Sequence, residues 1–423
     1  MSHPIPVLVI GGGMIVYDQI LPSLYHLQRC QQVGEITIVA ASSTRLRDLA
    51  GKHFLDSFPG QSFRAVPSLE SAPSDRDDNR WRECISQFTP HGLVVVATPD
   101  ETHYDMVRCA LEHDQHVLCV KPLVHNYQQA EELGRLAHER GLLIVIEYHK
   151  RFDRRALEAR KQYRLGHFGS FACGQARMIE SYYYRSSNFQ NWFTADKTDA
   201  FTYVGCHYVD MVYFITGLRP VEVSCRGVDR AFPNGKIASM WTNGRVIFEN
   251  GALLTVNGGN GYPDMGAGPN DQGITMYCEG DNCGAIIEHN DQFRGVGHGY
   301  VTPVGGTYFR HVNPDYFRLV PWQGDGLKPV GYGFDSIANA VDAATAIGRL
   351  GDGHSDSQAR DLRQAALAHI DQQGLLATPR NSFINELVIE AARKSIVRRG
   401  LPFAISYDPP RVTPLDVSSD PAC

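Results

Sequence analysis

Over the first third of the chain the apolar residues come in short unbroken runs, and beyond it they alternate with polar ones. Val7 to Ile10, Gly92 to Ala97, Val117 to Val120 and Leu142 to Ile146 are such runs. Continuous apolar character over this length suits parallel strands covered on both faces. Two further strands are expected at Glu35 to Ala41 and near 63–66. Helices are expected from about Ile15, at about 44–53, up to Phe88, and at about 101–113 and 126–140. The alternation predicts an α/β chain whose N-terminal domain, 1–148, is a doubly wound parallel sheet of the Rossmann type. Ligands of such sheets bind at the carboxyl ends of the strands.

Beyond about 150 the period changes. A helix at about 153–164 leads into an extended segment, 168–181, an aromatic-rich loop, 182–198, and a helix, 199–216. From there to about 290, β-branched and aromatic runs are punctuated by Asn-Gly at 234, 243 and 250, the composition of hairpin turns. The expectation is a second α/β domain, 149–405, with a large open sheet, mainly antiparallel or mixed. Its Gly-, Pro- and Asn-rich stretch 257–273 is expected to be a long loop or lid. Helices at about 334–350, 356–373 and 382–399 follow, and the proline-rich tail 406–423 should be extended.

The first apolar run ends in Gly11-Gly12-Gly13-Met14-Ile15-Val16. Gly11 permits a tight turn and Gly13 a close approach of backbone amides to a pyrophosphate. Met14 and Ile15 then open a helix whose N-terminus favours negative charge. The third glycine of G-x-G-x-x-G is here Val16. At the end of the second run, Ser42-Ser43-Thr44-Arg45 lacks the carboxylate that would bind ribose hydroxyls. Hydroxyls followed by an arginine suit a 2′-phosphate. NAD or NADP is therefore expected, with the lean to NADP, although Arg45 is equally well placed as a solvated helix residue.

Size and charge narrow the class. With 423 residues the chain exceeds the size at which one core stops growing, so two domains are expected. A net charge of −6, from 40 basic and 46 acidic residues, offers no basic field for nucleic acid. No apolar stretch approaches the roughly 18 residues of a membrane span. The first strand begins too early to leave room for a signal peptide. Ten scattered cysteines without a C-x-x-C read as buried thiols of a cytoplasmic protein. Cys278 and Cys283 lack neighbours for a metal site, and none is expected.

Three carboxyl-end segments carry the chemistry: Thr98-Pro99 with His103, Lys121-Pro122, and Glu147 to Phe152. The glycine turn, T-P-x-x-x-H, H-V-x-x-x-K-P from His116 to Pro122, Arg151-Phe152 after the final strand, and Gly205-Cys-His207-Tyr-Val-Asp210 together resemble the Gfo/Idh/MocA family of nicotinamide-dependent sugar and polyol oxidoreductases. The resemblance runs from about 5 to 217 and includes the helix from Asn385 to Ile396. It implies a cofactor on the first domain, near Thr98, Pro99, His103, Lys121 and Pro122, and an open sheet in the second that mediates homo-oligomers. It also implies catalytic roles for Lys121 and His207. Two residues depart from the family pattern: Val120 stands where a Glu precedes the lysine, and Tyr203 where an Asp lies four residues before the histidine.

Spacing alone puts Asp199, Tyr203, His207 and Asp210 near one helix face. His207 would accept the proton of a secondary alcohol as its hydride leaves, oriented by Asp210 or Tyr203. Lys121 would stabilise the developing oxyanion. The alternative is a helix that packs an aromatic stripe into the core, with Asp210 as a cap. For a sugar ring, Tyr183 and Trp192 offer faces, and Arg185 and Asn188 offer polar groups. Tyr203, His207, His149, Lys150 and Arg151 complete the expected substrate set, although the aromatic segment also suits an interface and the basic pair suits solvent. The leading expectation is hydride transfer between nicotinamide and a ring secondary alcohol of a sugar, glycoside or polyol, by analogy the 3-hydroxyl. A glycosidase using transient oxidation and a non-catalytic nicotinamide-binding regulator are the alternatives.

Overall fold

The computed structural model describes residues 4–265, 270–281, 283–290, 295–300, 309–312 and 316–415. The chain forms two compact units. The first comprises Met1–Val124, Gln128–Phe152 and Asp315–Ser382, and the second His125–Tyr127, Asp153–Pro314 and Phe383–Cys423. Residues 315–382, which the sequence reading assigned to the second domain, thus make their contacts within the first unit.

The first unit is built on six strands: β1 (Ile5–Ile10), β2 (Val33–Val39), β3 (Arg64–Val66), β4 (Leu93–Val96), β5 (His116–Val120) and β6 (Ile144–Glu147). They lie in the order β3-β2-β1-β4-β5-β6, all parallel, which is the Rossmann arrangement with its switch point between β1 and β4. The apolar runs explain this sheet. Val7 and Val9 join Leu24, Ile36, Ile38 and Val95 in the core, and the late helix Tyr332–Arg349 adds Ile337, Val341 and Ala344 to it.

The second unit carries β7 (Ser170–Ser181), β8 (Pro220–Ala231), β9 (Ile237–Phe248), β10 (Leu253–Tyr262), β11 (Asp271–Gly280), β12 (Cys283–Asn290), β13 (Gly295–Tyr300) and β14 (Phe309–Val312). After a small hairpin of β15 (Arg318–Pro321) and β16 (Leu327–Val330) in the first unit, β17 (Phe403–Tyr407) and β18 (Pro410–Pro414) return to the second. The resulting ten-stranded sheet runs β14-β13-β12-β11-β7-β10-β9-β8-β17-β18 and is mixed, because β7 and β10 pair in parallel. Burial alternates along β7 and β9, as expected of a sheet covered on one face only. On the other face Ile247, Leu253, Cys173, Tyr277 and Ile286 form a cross-strand apolar row. Beside it runs a polar row of Arg245, Thr255, Gln175, Thr275 and Glu288.

Two expectations based on glycine are corrected. The stretch 257–273 is not one long loop: 257–262 belong to β10 and 271–273 to β11, while 266–269 lie outside the described residues. Its glycines serve packing. A Cβ on Gly259 or Gly261 would come within 2.3 or 2.2 Å of the Trp241 indole, and one on Gly258 within 2.9 Å of the Ala200 carbonyl oxygen. Asn243-Gly244 is likewise inside β9, where a Cβ on Gly244 would lie 2.4 Å from the Phe201 ring. By contrast Gly235 and Gly251 do turn hairpins, at φ +81° and +85°. The tail also pairs, as β17 and β18, with 416–423 outside the described residues.

Gly259→Ala should lower the unfolding free energy by about 1–3 kcal/mol through overpacking against Trp241. Gly235→Ala leaves no such clash and should show only the strain of its positive φ. Denaturant titration of both variants separates the two effects.

Candidate active site

In the first unit the glycine turn is pinned between the ends of two strands. Gly11 N–H donates to the Val39 carbonyl (2.8 Å) and Ala97 N–H to that of Ile10 (2.9 Å). Gly11 has φ +112°, and a Cβ there would lie 2.2 Å from the Ala97 carbonyl oxygen, so no other residue fits. At Gly13 a Cβ would meet nothing within 4 Å, which leaves room for a phosphate to approach the backbone. Val16, where a third glycine would permit close helix packing, is fully buried, and the helix opens there with a wide turn, Val16–Ile20. Leu21 N–H accordingly donates to the Val16 carbonyl, five residues back. Met14 is exposed and Ile15 half-buried at its start.

At the end of β2 the four predicted ribose-side residues divide. Ser43 is buried and its hydroxyl donates to the Ser71 carbonyl (2.8 Å). Arg47 donates to the carbonyls of Leu69 (2.7 Å) and Ser71 (2.6 Å), and Asp77 N–H to that of Ala41 (3.0 Å). An acidic loop is thereby stitched to the strand end. Ser42 is half-buried, Thr44 is exposed, and exposed Arg45 faces Asp48 at 3.4 Å.

His103 is a clamp on the main chain. Its ring is wholly buried, with Nδ1 2.8 Å from the Pro122 carbonyl and Nε2 2.9 Å from that of Thr98. Two carbonyl oxygens require two donors, which only the imidazolium provides. Burial works against that charge, yet Cys119, the Asp100 carboxylate and the Thr98 carbonyl outweigh it and hold the ring up at about 9. The clamp ties the turn after β4, with Thr98 and Pro99, to the turn after β5, with Lys121 and the cis-linked Pro122. With both nitrogens on carbonyls, His103 positions these turns; direct cofactor contact was the sequence expectation.

Past β6, the segment Glu147 to Phe152 enters a polar cluster whose distant members, Gln19, Tyr316 and Ser336, sequence reasoning missed. Buried Glu147 accepts hydrogen bonds on Oε1 from Gln19 Nε2 (2.7 Å) and from the Ser336 hydroxyl. Burial pushes its carboxyl up to about 7, against the pull of those donors from Ser336 and Gln19. Gln19 also donates to the Gly333 carbonyl (3.0 Å) and accepts from Tyr316. The His149 ring lies 5.1 Å from that of Tyr316 and 5.7 Å from that of Tyr332. Lys150 and Arg151 are buried, not solvated, and Arg151 donates to Asn381 Oδ1 (3.2 Å). The one available signal was an acid closing an otherwise apolar run.

In the second unit the predicted helix begins with a wide turn, Phe201–Gly205, and continues as Cys206–Thr216. That turn breaks the uniform spacing assumed for Asp199, Tyr203, His207 and Asp210. Asp199 caps the segment, accepting from Thr202 N–H (2.9 Å) and Thr202 Oγ1 (2.8 Å). Tyr203 enters an aromatic cluster, its ring 5.3 Å from Phe189, 5.6 Å from Trp192 and 5.7 Å from Phe193. His207 and Asp210 are both buried, and Asp210 Oδ1 accepts from Asn385 Nδ2 (2.8 Å) on the helix Ile384–Val397. In the aromatic segment Tyr183 is exposed, its N–H donating to Asp264 (2.8 Å). Arg185 Nε donates to the Asn260 carbonyl (2.6 Å), Asn188 accepts from Asn191 (2.9 Å), and Trp192 is half-buried.

The described cysteines are free thiols. Among the described residues there is no metal-holding group of three or more His, Cys, Asp or Glu, and no helix long and apolar enough to cross a membrane.

A Rossmann sheet with a glycine turn of this shape, in a chain whose second unit carries a large mixed sheet, is the framework of a dinucleotide-binding protein. Residues 5–148 match the oxidoreductase family with an NAD-binding Rossmann fold, and 168–279 match the GFO/IDH/MocA C-terminal domain, so the chain belongs to the Gfo/Idh/MocA family. It is similar to dTDP-3,4-didehydro-2,6-dideoxy-alpha-D-glucose 3-reductase of Actinomadura kijaniata, at 32% identity over 35% of this chain and 37% of that one. It is also similar to D-glucoside 3-dehydrogenase of Escherichia coli, at 24% identity over 52% of this chain and 56% of that one. The matches thus span only about a third to a half of those relatives. In fold it resembles an inositol dehydrogenase homolog from Azotobacter vinelandii solved with NADH and myo-inositol (TM-score 0.63, 19% identity, 95% of this chain and 98% of that one).

The His103 clamp predicts a pH dependence. Its folded value, about 9, lies above the model-peptide value of about 6.5. The stability it contributes is therefore complete below about 6.5 and is lost as pH rises through about 9. Unfolding titrations at pH 6 and 10 should show the His103→Ala deficit shrinking at the higher pH. A deficit independent of pH would mean that the ring is neutral.

Proposed function

We propose that the protein is a dehydrogenase that moves hydride between nicotinamide and a ring secondary alcohol of a neutral sugar, glycoside or polyol. What carries this reading is a lysine at the carboxyl end of β5 and a buried histidine on the helix Cys206–Thr216, in a chain of an NAD-binding oxidoreductase family. Bound nicotinamide supplies the hydride acceptor. Lys121 binds the hydroxyl oxygen and stabilises charge as the proton leaves, and His207 takes that proton. Tyr203, packed among aromatic rings, replaces a carboxylate and shapes the pocket. Buried Asp210 fixes the helix that presents His207. Tyr183 and Trp192 offer ring faces, Arg185 and Asn188 polar contacts, and His149, Lys150 and Arg151 line the turn after β6. The names of two relatives, a 3-reductase and a 3-dehydrogenase, favour the 3-hydroxyl.

For the cofactor we favour NAD over NADP, a reversal of the sequence lean. The Ser43 hydroxyl is engaged by the Ser71 carbonyl and the Arg45 guanidinium faces Asp48, so the groups that suggested a 2′-phosphate already have partners within the chain. The apolar row on the open sheet face is the surface through which copies of the chain would associate.

With NAD and a panel of sugars, glycosides and inositols, reduced-cofactor absorbance should rise. His207→Ala should lower kcat by about 10²-fold or more while nucleotide binding persists. Fluorescence titration should show NADH bound more tightly than NADPH. Silence across the panel in nucleotide-loaded protein would count against the dehydrogenase reading. Light scattering should give an oligomer that Tyr277→Lys with Ile286→Lys dissociates, and an unchanged mass would clear that face of the role.

A further inference from the structure

Three polar side chains share the helix-covered face of the large sheet, Asn260 directly beside Glu180 and Thr242 diagonal to Asn260, and no role above uses them. Asn260 on β10 stands in register with Glu180 on β7, and Thr242 on β9 with Gly258. Their exposures are 2%, 8% and 4%. Among the described residues neither Asn260 Nδ2 nor Thr242 Oγ1 has a hydrogen-bond partner, although both atoms are buried. Glu180 Oε2 accepts from Asn270 Nδ2 at 3.3 Å, while Arg185 Nε holds the Asn260 carbonyl at 2.6 Å. The start of the His207 helix lies on the same face, since the Ala200 carbonyl closes on Gly258 and Phe201 on Gly244.

Buried polar groups are rarely left without partners, and two on one face in the unit that bears His207 call for a common explanation. We propose that Glu180, Thr242 and Asn260 form a hydroxyl-recognition subsite that reads the ring alcohols of a neutral polyol; this rests on the dehydrogenase reading above. The chemistry is complementary. The amide of Asn260 is a donor, the Glu180 carboxylate an acceptor, and the Thr242 hydroxyl both, which is what neighbouring sugar hydroxyls require. Adjacent strands lie about 4.8 Å apart, a gap that one hydroxyl spans by accepting from Asn260 and donating to Glu180. The carboxylate also selects against sugar acids and sugar phosphates, by like-charge repulsion.

The test pairs variants with mono-deoxy analogues of whichever panel sugar the wild-type enzyme oxidises. Asn260→Ala should raise KM roughly tenfold with kcat within about twofold. One mono-deoxy analogue should lose a similar factor on the wild type and nothing further on Asn260→Ala. Losses that multiply for every analogue would overturn the subsite while leaving the dehydrogenase intact. Asn260→Leu guards against a folding artefact. It removes a buried N–H donor without a partner, so the sugar-free protein should melt at the same or a higher temperature while sugar binding to the NADH complex, followed calorimetrically, is lost. Retained binding in Asn260→Leu refutes the proposal. So does oxidation of sugar phosphates as readily as neutral sugars.

Discussion

The nucleotide-binding end of the first unit depends on a place where no side chain can stand. The chain at Gly11 passes so close to the Ala97 carbonyl that a Cβ would clash there, and the first helix starts just beyond it. The second unit repeats the constraint in a sheet. Gly244, Gly258, Gly259 and Gly261 let a ring or a carbonyl rest directly on strand backbone, and the helix bearing His207 is seated by two of them. Missing Cβ atoms therefore set the position of a candidate phosphate-binding turn in one unit and of a candidate base in the other.

The legible part of the chain was what depends on local period. Parallel strands of unbroken apolar residues, alternating strands and the long late helices fell close to their predicted places, because burial on two faces, one face or one stripe leaves distinct patterns. The glycines of β10 were misread for a physical reason. A residue chosen because a tryptophan lies on it has the same letter as one chosen for a left-handed turn, and only the partner 18 or 20 residues away distinguishes them. The wide turn at Phe201–Gly205 was equally invisible, and it dispersed a predicted four-residue face into a cap, an aromatic contact and an interhelical bond. Nor could spacing bring Ser336 to Glu147, which lies 189 residues before it.

At two junctions buried charge holds segments together. His103 spans two strand-end turns. Asp153 accepts from Arg155 Nε (2.6 Å) and His289 Nε2 (3.2 Å), which join β12 to the start of the helix Arg154–Arg164. Burial alone would raise the Asp153 carboxyl, yet Arg155 and His289 hold it down at about 2. Such pairs stabilise weakly against apolar substitutes, but losing one partner strands the other in a medium that solvates it poorly.

The discontinuity of the first unit bears on how the protein is made. Gln19 and Glu147 emerge early from a ribosome, but Ser336 and the helix that buries Ile337 and Val341 against the nucleotide-binding sheet follow nearly two hundred residues later. Domains generally fold as units while synthesis proceeds from the N-terminus. Here the nascent Rossmann sheet must wait, with an apolar flank uncovered, while the intervening strands of the other unit are translated.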